Sequence, residues 1–173
     1  MFYYDIENFI NDNGITAPGS GLGSDCLYNI DHFKLYGAEV EATIRLGGRF
    51  RATAAYVYQE FDAEKTSFER NWTYYLPALL PKHKVKLLAR YKVWEGGWFQ
   101  LSSRYVGTRN AQKGSKLDDY ITADVGFEQE FKFHGMDYTA KVFVNNVTGA
   151  DYEEIAGYEM PKYLWGFQFG VKF

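Results

Sequence analysis

Large apolar side chains occupy every second position through the last eleven residues, "YLWGFQFGVKF" (163–173). Successive side chains of a β-strand point to opposite faces, so Tyr163, Trp165, Phe167, Phe169, Val171 and Phe173 share one face. Leu164, Gly166, Gln168, Gly170 and Lys172 take the other. A chain end is ordinarily polar and frayed, whereas this one commits its last residues to an aromatic stripe that needs an apolar surrounding.

The same period recurs upstream. In residues 35–46, Ala38, Val40, Ala42, Ile44 and Leu46 alternate with Glu39, Glu41, Thr43 and Arg45. Residues 49–61 place Phe50, Ala52, Ala54, Tyr56 and Tyr58 on one face. Residues 82–94 set Val85, Leu87, Ala89, Tyr91 and Val93 against Lys84, Lys86, Arg90 and Lys92. Residues 98–106 continue with Phe99, Leu101, Ser103 and Tyr105. Residues 120–133 oppose Ile121, Ala123, Val125, Phe127, Phe131 and Phe133 to Thr122, Asp124, Glu128, Glu130 and Lys132. With residues 2–10 and 137–147, the alternation predicts eight antiparallel strands and no helix.

The connections sort by length. Gly47-Gly48, Glu95-Gly96-Gly97 and His134-Gly135 make tight turns, while the segments near 62–81, 107–119 and 146–161 are long and polar. Short and long connections alternate strictly, so all the long loops lie at one end of the sheet. That asymmetry is the signature of an outer-membrane barrel, with short periplasmic turns and longer extracellular loops. The last strand then descends to leave Phe173 at the periplasmic side. The fold class is all-β: an antiparallel up-and-down transmembrane β-barrel segment of about eight strands.

Alternation alone does not say which face points inward, because a soluble lipocalin-like barrel shows the same period. Volume separates the two. An eight-stranded barrel has room inside for side chains or one small ligand, and six large groups from the last strand alone, with the aromatics of its neighbours, overfill it. With the apolar face against the lipid bilayer the bulk is unconstrained, and Trp94, Trp98, Tyr105, Tyr120, Tyr163 and Phe173 suit an interfacial girdle. The charged face then lines a wet lumen or packs on a plug. A complete small eight-stranded barrel, acting as an anchor, adhesin or pore, shares this pattern and stays open here.

Composition narrows the classes further. The chain is 46% hydrophobic and 19% aromatic, yet its mean hydropathy is −0.38, as alternation requires. No run approaches the roughly 18 consecutive apolar residues of a membrane-crossing helix. A net charge of −3 with no basic stripe gives no support to nucleic-acid binding. Cys26 is the single cysteine, which excludes an internal disulfide and a cysteine-based metal site. The first residues, "MFYYDIENFI", carry no secretory signal pattern.

Four stretches then carry a family likeness: "KLYGAEVEATIRLGGRFRATAAYVY", "LPALLPKHKVKLLARY", "SRYVGTRN" and "VFVNNVTGADYEEIAGYEMPKYLWGFQFGVKF". They resemble the C-terminal part of TonB-dependent outer-membrane receptors. In that family a strand ends in Asn-Asn or Asn-Leu, an Asp-Tyr and a loop follow, and a last strand ends in Phe. Asn145, Asn146, Asp151, Tyr152 and Phe173 match those positions. The resemblance implies a 22-stranded barrel around an N-terminal plug, importing iron-siderophore complexes or cobalamin with energy passed through TonB. Residues 1–173 would form about a third of such a barrel. TonB and the plug domain would then be partners only through a missing N-terminal part. The terminal stripe of Tyr163, Trp165, Phe167, Phe169, Val171 and Phe173 also resembles the signal read by the barrel-assembly machinery.

An extracellular small-molecule chelate would meet the long loops and the upper inner wall. Arg70, Trp72, Tyr74, Tyr75, Arg104 and Arg109 are the candidate ligand-binding residues there. Arginine pairs with carboxylate or catecholate oxygens, and flat rings stack on flat ligands. Ordinary girdle and loop packing accounts for the same residues. The glycine-rich "GITAPGSGLGSDC" lacks the Lys-Ser/Thr ending and following helix of a phosphate loop. His32, His83 and His134 lie at different strand ends, and neither an H-E-x-x-H nor a G-x-S-x-G motif occurs. The sequence therefore predicts no catalytic residues, metal site or cofactor.

Overall fold

A computed structural model gives the structure of the protein, describing residues 1–12, 27–63, 80–110 and 116–172. Its strands are β1 (Phe2–Asp12), β2 (Leu27–Leu46), β3 (Phe50–Ala63), β4 (His83–Trp94), β5 (Gly97–Val106), β6 (Arg109–Asn110), β7 (Lys116–Leu117), β8 (Tyr120–Phe133), β9 (Met136–Asn145), β10 (Glu153–Ile155), β11 (Tyr158–Glu159) and β12 (Leu164–Lys172). Eight form one sheet of order β1-β2-β3-β4-β5-β8-β9-β12, while β6-β7 and β10-β11 are small hairpins. Sheet neighbours follow one another along the chain, so the eight-strand, up-and-down expectation holds, and no helix occurs among the described residues.

The tight turns also fall where expected. His134 and Gly135 have φ of 49° and 79°, positive at both central positions as a twist-matched two-residue hairpin requires. Two differences are informative. β2 begins at Leu27 rather than near residue 35, because it pairs with β1 from Phe2↔Gly37 to Asp12↔Leu27 through polar positions that interrupt the alternation. The hairpins β6-β7 and β10-β11 lie inside stretches expected to be plain loops; two or three residues per strand are too few to show a period.

The chain divides into two compact units. The first comprises Met1–Glu39, Val57–His83 and Gly107–Asp118. Here Gly37 is overlaid so closely that a Cβ would lie 2.1 Å from the Tyr58 carbonyl oxygen and 2.7 Å from the Phe2 ring. Phe33 is buried nearby in the chain, and Asp5 pairs with His32 across β1 and β2. The buried Gln59 donates from Nε2 to the Pro81 carbonyl at 3.0 Å, while its backbone N–H reaches Lys82 O at 2.9 Å. The return limb before β4 is thereby tied to β3.

The second unit comprises Val40–Tyr56, Lys84–Val106 and Asp119–Phe173. Its register carries one face through four strands. Phe99↔Phe127, Phe127↔Val142 and Val142↔Phe167 form one transverse row, and Leu101↔Val125, Val125↔Val144 and Val144↔Trp165 the next. Opposite them run Arg90↔Gln100 and Glu128↔Lys141. The apolar face stays open: Trp165 is 79% exposed, Phe167 63%, Ile121 55% and Val142 50%. Among the described residues Phe33 and Tyr120 are the buried hydrophobic side chains, so the aromatic content of this chain does not build an interior of its own.

Candidate functional site

The polar face of the second unit is cross-linked by charge. Arg90 Nη2 lies 2.7 Å from Glu128 Oε1, and Gln100 Nε2 donates to the other carboxylate oxygen at 3.4 Å. The Arg90 guanidinium stands 4.2 Å over the Trp98 ring, with Lys92 Nζ 5.9 Å from the same ring. An open hollow of about 520 Å³ lies here, lined by the polar Arg51, Thr53, Arg90, Gln100, Ser102, Asp124, Lys141 and Asn145 and by the apolar Leu88, Ala89, Leu101, Val125 and Phe143. The paired charges and amides of Arg90, Lys92, Gln100 and Glu128 on this face are costly to place against hydrocarbon.

At the long-loop end, the connection between β9 and β12 is fastened in two tiers. The lower tier is Asn146, 4% exposed and at φ 52°, a left-handed conformation that asparagine tolerates better than most residues. Its backbone N–H donates to Asp124 Oδ1 at 2.8 Å. Its Nδ2 donates to the carbonyls of Ala150 (2.9 Å) and Pro161 (3.3 Å), and its Oδ1 accepts from Thr148 Oγ1 (2.8 Å) and Ala150 N (3.1 Å). The carboxamide therefore uses both protons and its oxygen to close the loop on itself. Only an amide offers donors and an acceptor in that arrangement.

The upper tier gathers on Arg104, near the end of β5. Arg104 Nη2 contacts Glu154 Oε1 at 2.7 Å and donates to Tyr152 Oη at 3.2 Å, while its Nε reaches Thr122 Oγ1 at 3.4 Å. Tyr120 and Tyr152 stack with centroids 4.3 Å apart and planes at 28°, and the guanidinium stands 5.5 Å from each ring. Tyr120 Oη also donates to Glu154 Oε1 at 3.0 Å. Beyond this cluster, Asp151 holds Lys162 Nζ at 2.9 Å, and that carboxylate raises the Lys162 pKa above the ordinary lysine range. The tip of β10-β11 leaves Ile155 and Tyr158 63% and 69% exposed.

Of the predicted ligand-binding residues, Arg70, Trp72, Tyr74 and Tyr75 lie outside the described residues, as does Phe173. Arg104 sits among Tyr120, Thr122, Tyr152 and Glu154, its guanidinium engaged by the chain's own groups. Arg109 is buried at the start of β6, paired in register with Leu117. Tyr163, Trp165, Phe167, Phe169 and Val171 are 40% exposed or more. Two girdle expectations are corrected. Trp98 pairs with Lys92 and Glu128 and lies under Arg90, on the charged face; Tyr120 is buried against Tyr152. Both sit at even-numbered positions of strands whose apolar face is odd-numbered, a parity that overrides their aromatic character. Sequence reasoning marked Asn146 and Tyr152 by motif but assigned them no role, and nothing in it pointed to Glu154.

A family model for the β-barrel of TonB-dependent-receptor-like proteins matches residues 1–147. No curated protein sequence matches the chain. Among solved structures, the pyoverdine outer membrane receptor FpvA from Pseudomonas aeruginosa PAO1, bound to pyoverdine, superposes with a TM-score of 0.63 at 17% identity. It covers 98% of this chain and 26% of that one. BauA, the ferric preacinetobactin receptor from Acinetobacter baumannii, gives 0.61 at 17% identity over the same shares. The ferric-catecholate import receptor Fiu from E. coli K12 gives 0.54 at 15% identity, covering 82% of this chain and 20% of that one. The chain thus spans about a quarter of the length of the structures it matches.

Proposed function

We propose, because this chain belongs to the TonB-dependent receptor β-barrel family, that it forms the C-terminal wall of an outer-membrane receptor taking up an iron-siderophore complex. Transport receptors of the outer membrane, not enzymes, make up that family. The observation that carries the reading is the separation of faces in β4, β5, β8, β9 and β12, where an exposed aromatic face backs a charged, hydrogen-bonded one. In this proposal the aromatic face meets lipid acyl chains, where aromatic bulk is favourable and each inner strand has a paired neighbour on both sides. The charged face, with Arg90, Glu128 and Lys141, faces a plug supplied by the rest of the receptor, through which TonB acts. β12 presents the stripe that the barrel-assembly machinery engages.

Three siderophore or catecholate receptors among the structural neighbours favour an iron chelate over cobalamin as the cargo. The candidate chelate contacts remain Arg70, Trp72, Tyr74, Tyr75, Arg104 and Arg109, with Arg104 acting only after its loop partners release it. The test is uptake of radioactive iron by iron-starved cells with and without the gene, offered hydroxamate, catecholate and carboxylate chelates in turn. Loss of uptake for one chelate class, restored by the gene and abolished when TonB is disabled, is the predicted result. Unchanged iron uptake together with loss of cobalamin uptake would contradict it.

A further inference from the structure

We infer that Glu154 is a resident competitor for Arg104: its carboxylate holds the guanidinium in place of an incoming anion, and exchange of the two releases the β10-β11 hairpin from the wall. The inference rests on the uptake reading for the setting in which an anion arrives, but the contact it concerns is in the structure. Arg104 reaches Glu154 at 2.7 Å, with side chains 43% and 41% exposed. An ion pair open to water on this scale is weakly held and readily exchanged. The guanidinium that would receive a new anion is already oriented from the wall side, because Thr122 Oγ1 accepts from its Nε and the Tyr120 ring stands beside it. A carboxylate or catecholate oxygen satisfies that guanidinium as Glu154 does.

The two tiers of the loop differ in the way such a latch needs. Asn146 is 4% exposed and hydrogen-bonded through every polar atom of its side chain, so the base of the loop stays fixed. The hairpin above it is fastened to the wall through the half-exposed Arg104-Glu154 pair, the Tyr120 hydroxyl on the same carboxylate, the Arg104-Tyr152 hydrogen bond and the tyrosine stack, and its tip is open. Loss of Glu154 from Arg104 therefore removes one of these fastenings and shifts the hairpin toward release, while the loop base keeps its place.

The test places a spin label at Tyr158→Cys in a Cys26→Ser background, in the receptor inserted in lipid vesicles, and reads tip mobility by electron paramagnetic resonance. Glu154→Gln is expected to shift the closed-to-open ratio of the tip by about fivefold, whereas Glu159→Gln on the same hairpin leaves it unchanged. Citrate, a carboxylate probe, is expected to mobilise the tip in the unmodified latch and to add nothing in Glu154→Gln. A tip equally immobile in Glu154→Gln and the parent would overturn the latch itself. A tip released by Glu154→Gln but indifferent to citrate and to a catechol sulfonate would overturn the exchange. Either result leaves the uptake assay to be judged independently.

Discussion

Asn146 Nδ2 holds the carbonyl oxygen of Pro161 at 3.3 Å, joining the two limbs of the last long loop across 15 residues. Gln59 does the same for another loop, donating from Nε2 to the Pro81 carbonyl at 3.0 Å. In each case a buried amide on the outgoing limb grips the carbonyl of a proline on the returning one. The carbonyl oxygen is available, and the proline ring fixes the backbone that presents it.

Replacing the buried Asn146 removes four side-chain hydrogen bonds and takes the amide donor from the carbonyls of Ala150 and Pro161, a cost of about 1–3 kcal/mol. Asn146→Ala adds the strain of a positive φ, so Asn146→Gly is expected to be the milder variant despite losing the same bonds. Urea unfolding in detergent micelles, followed by heat-modifiable gel migration, ranks the two.

Gly37 and Gly166 both lie under aromatic rings, yet the cost of adding a methyl differs. At Gly37 the Cβ would meet the Tyr58 backbone oxygen at 2.1 Å, which yields only if the strands move. At Gly166 it would meet the far end of the Phe143 ring at 2.4 Å, which swings aside. Gly37→Ala is expected to destabilise by about 1–3 kcal/mol and Gly166→Ala by less, measured in the same unfolding assay.

A lysine introduced on the aromatic face separates the two faces energetically. Phe167→Lys places a charge where the proposal puts lipid, costing about 2–4 kcal/mol near the bilayer midplane, whereas Gln168→Lys on the opposite face costs little. Equal stability of the two variants in lipid vesicles contradicts the assignment of faces.

The Asp151-Lys162 pair predicts an alkaline dependence. Asp151 raises the Lys162 pKa, so the pair contributes fully below the ordinary lysine pKa and is lost as pH rises through the raised value. In Asp151→Asn the Lys162 pKa is expected to fall back toward the ordinary range, as read by NMR on labelled lysine.

The strands were legible because their alternation is long: β8 begins and ends at residues 120 and 133, where the pattern does. The start of β2 was hidden by polar positions at Asn29, Asp31 and His32, since backbone pairing needs no side-chain period. Aromatic character misled at Trp98 and Tyr120, where parity along the strand was the better guide. The loop cluster was half visible. Asn146 and Tyr152 stood in a motif, but Glu154 joins Arg104 across 50 residues of chain by folding alone.

The most direct measurement is tryptophan quenching by bromine-labelled acyl chains in vesicles, with Trp72 and Trp94 replaced by Phe and either Trp98 or Trp165 kept. Trp165, on the exposed aromatic face, is predicted to be strongly quenched, and Trp98, under Arg90 on the charged face, to be shielded. Quenching of Trp98 equal to or above that of Trp165 would contradict the account of this sheet as a membrane-facing barrel wall.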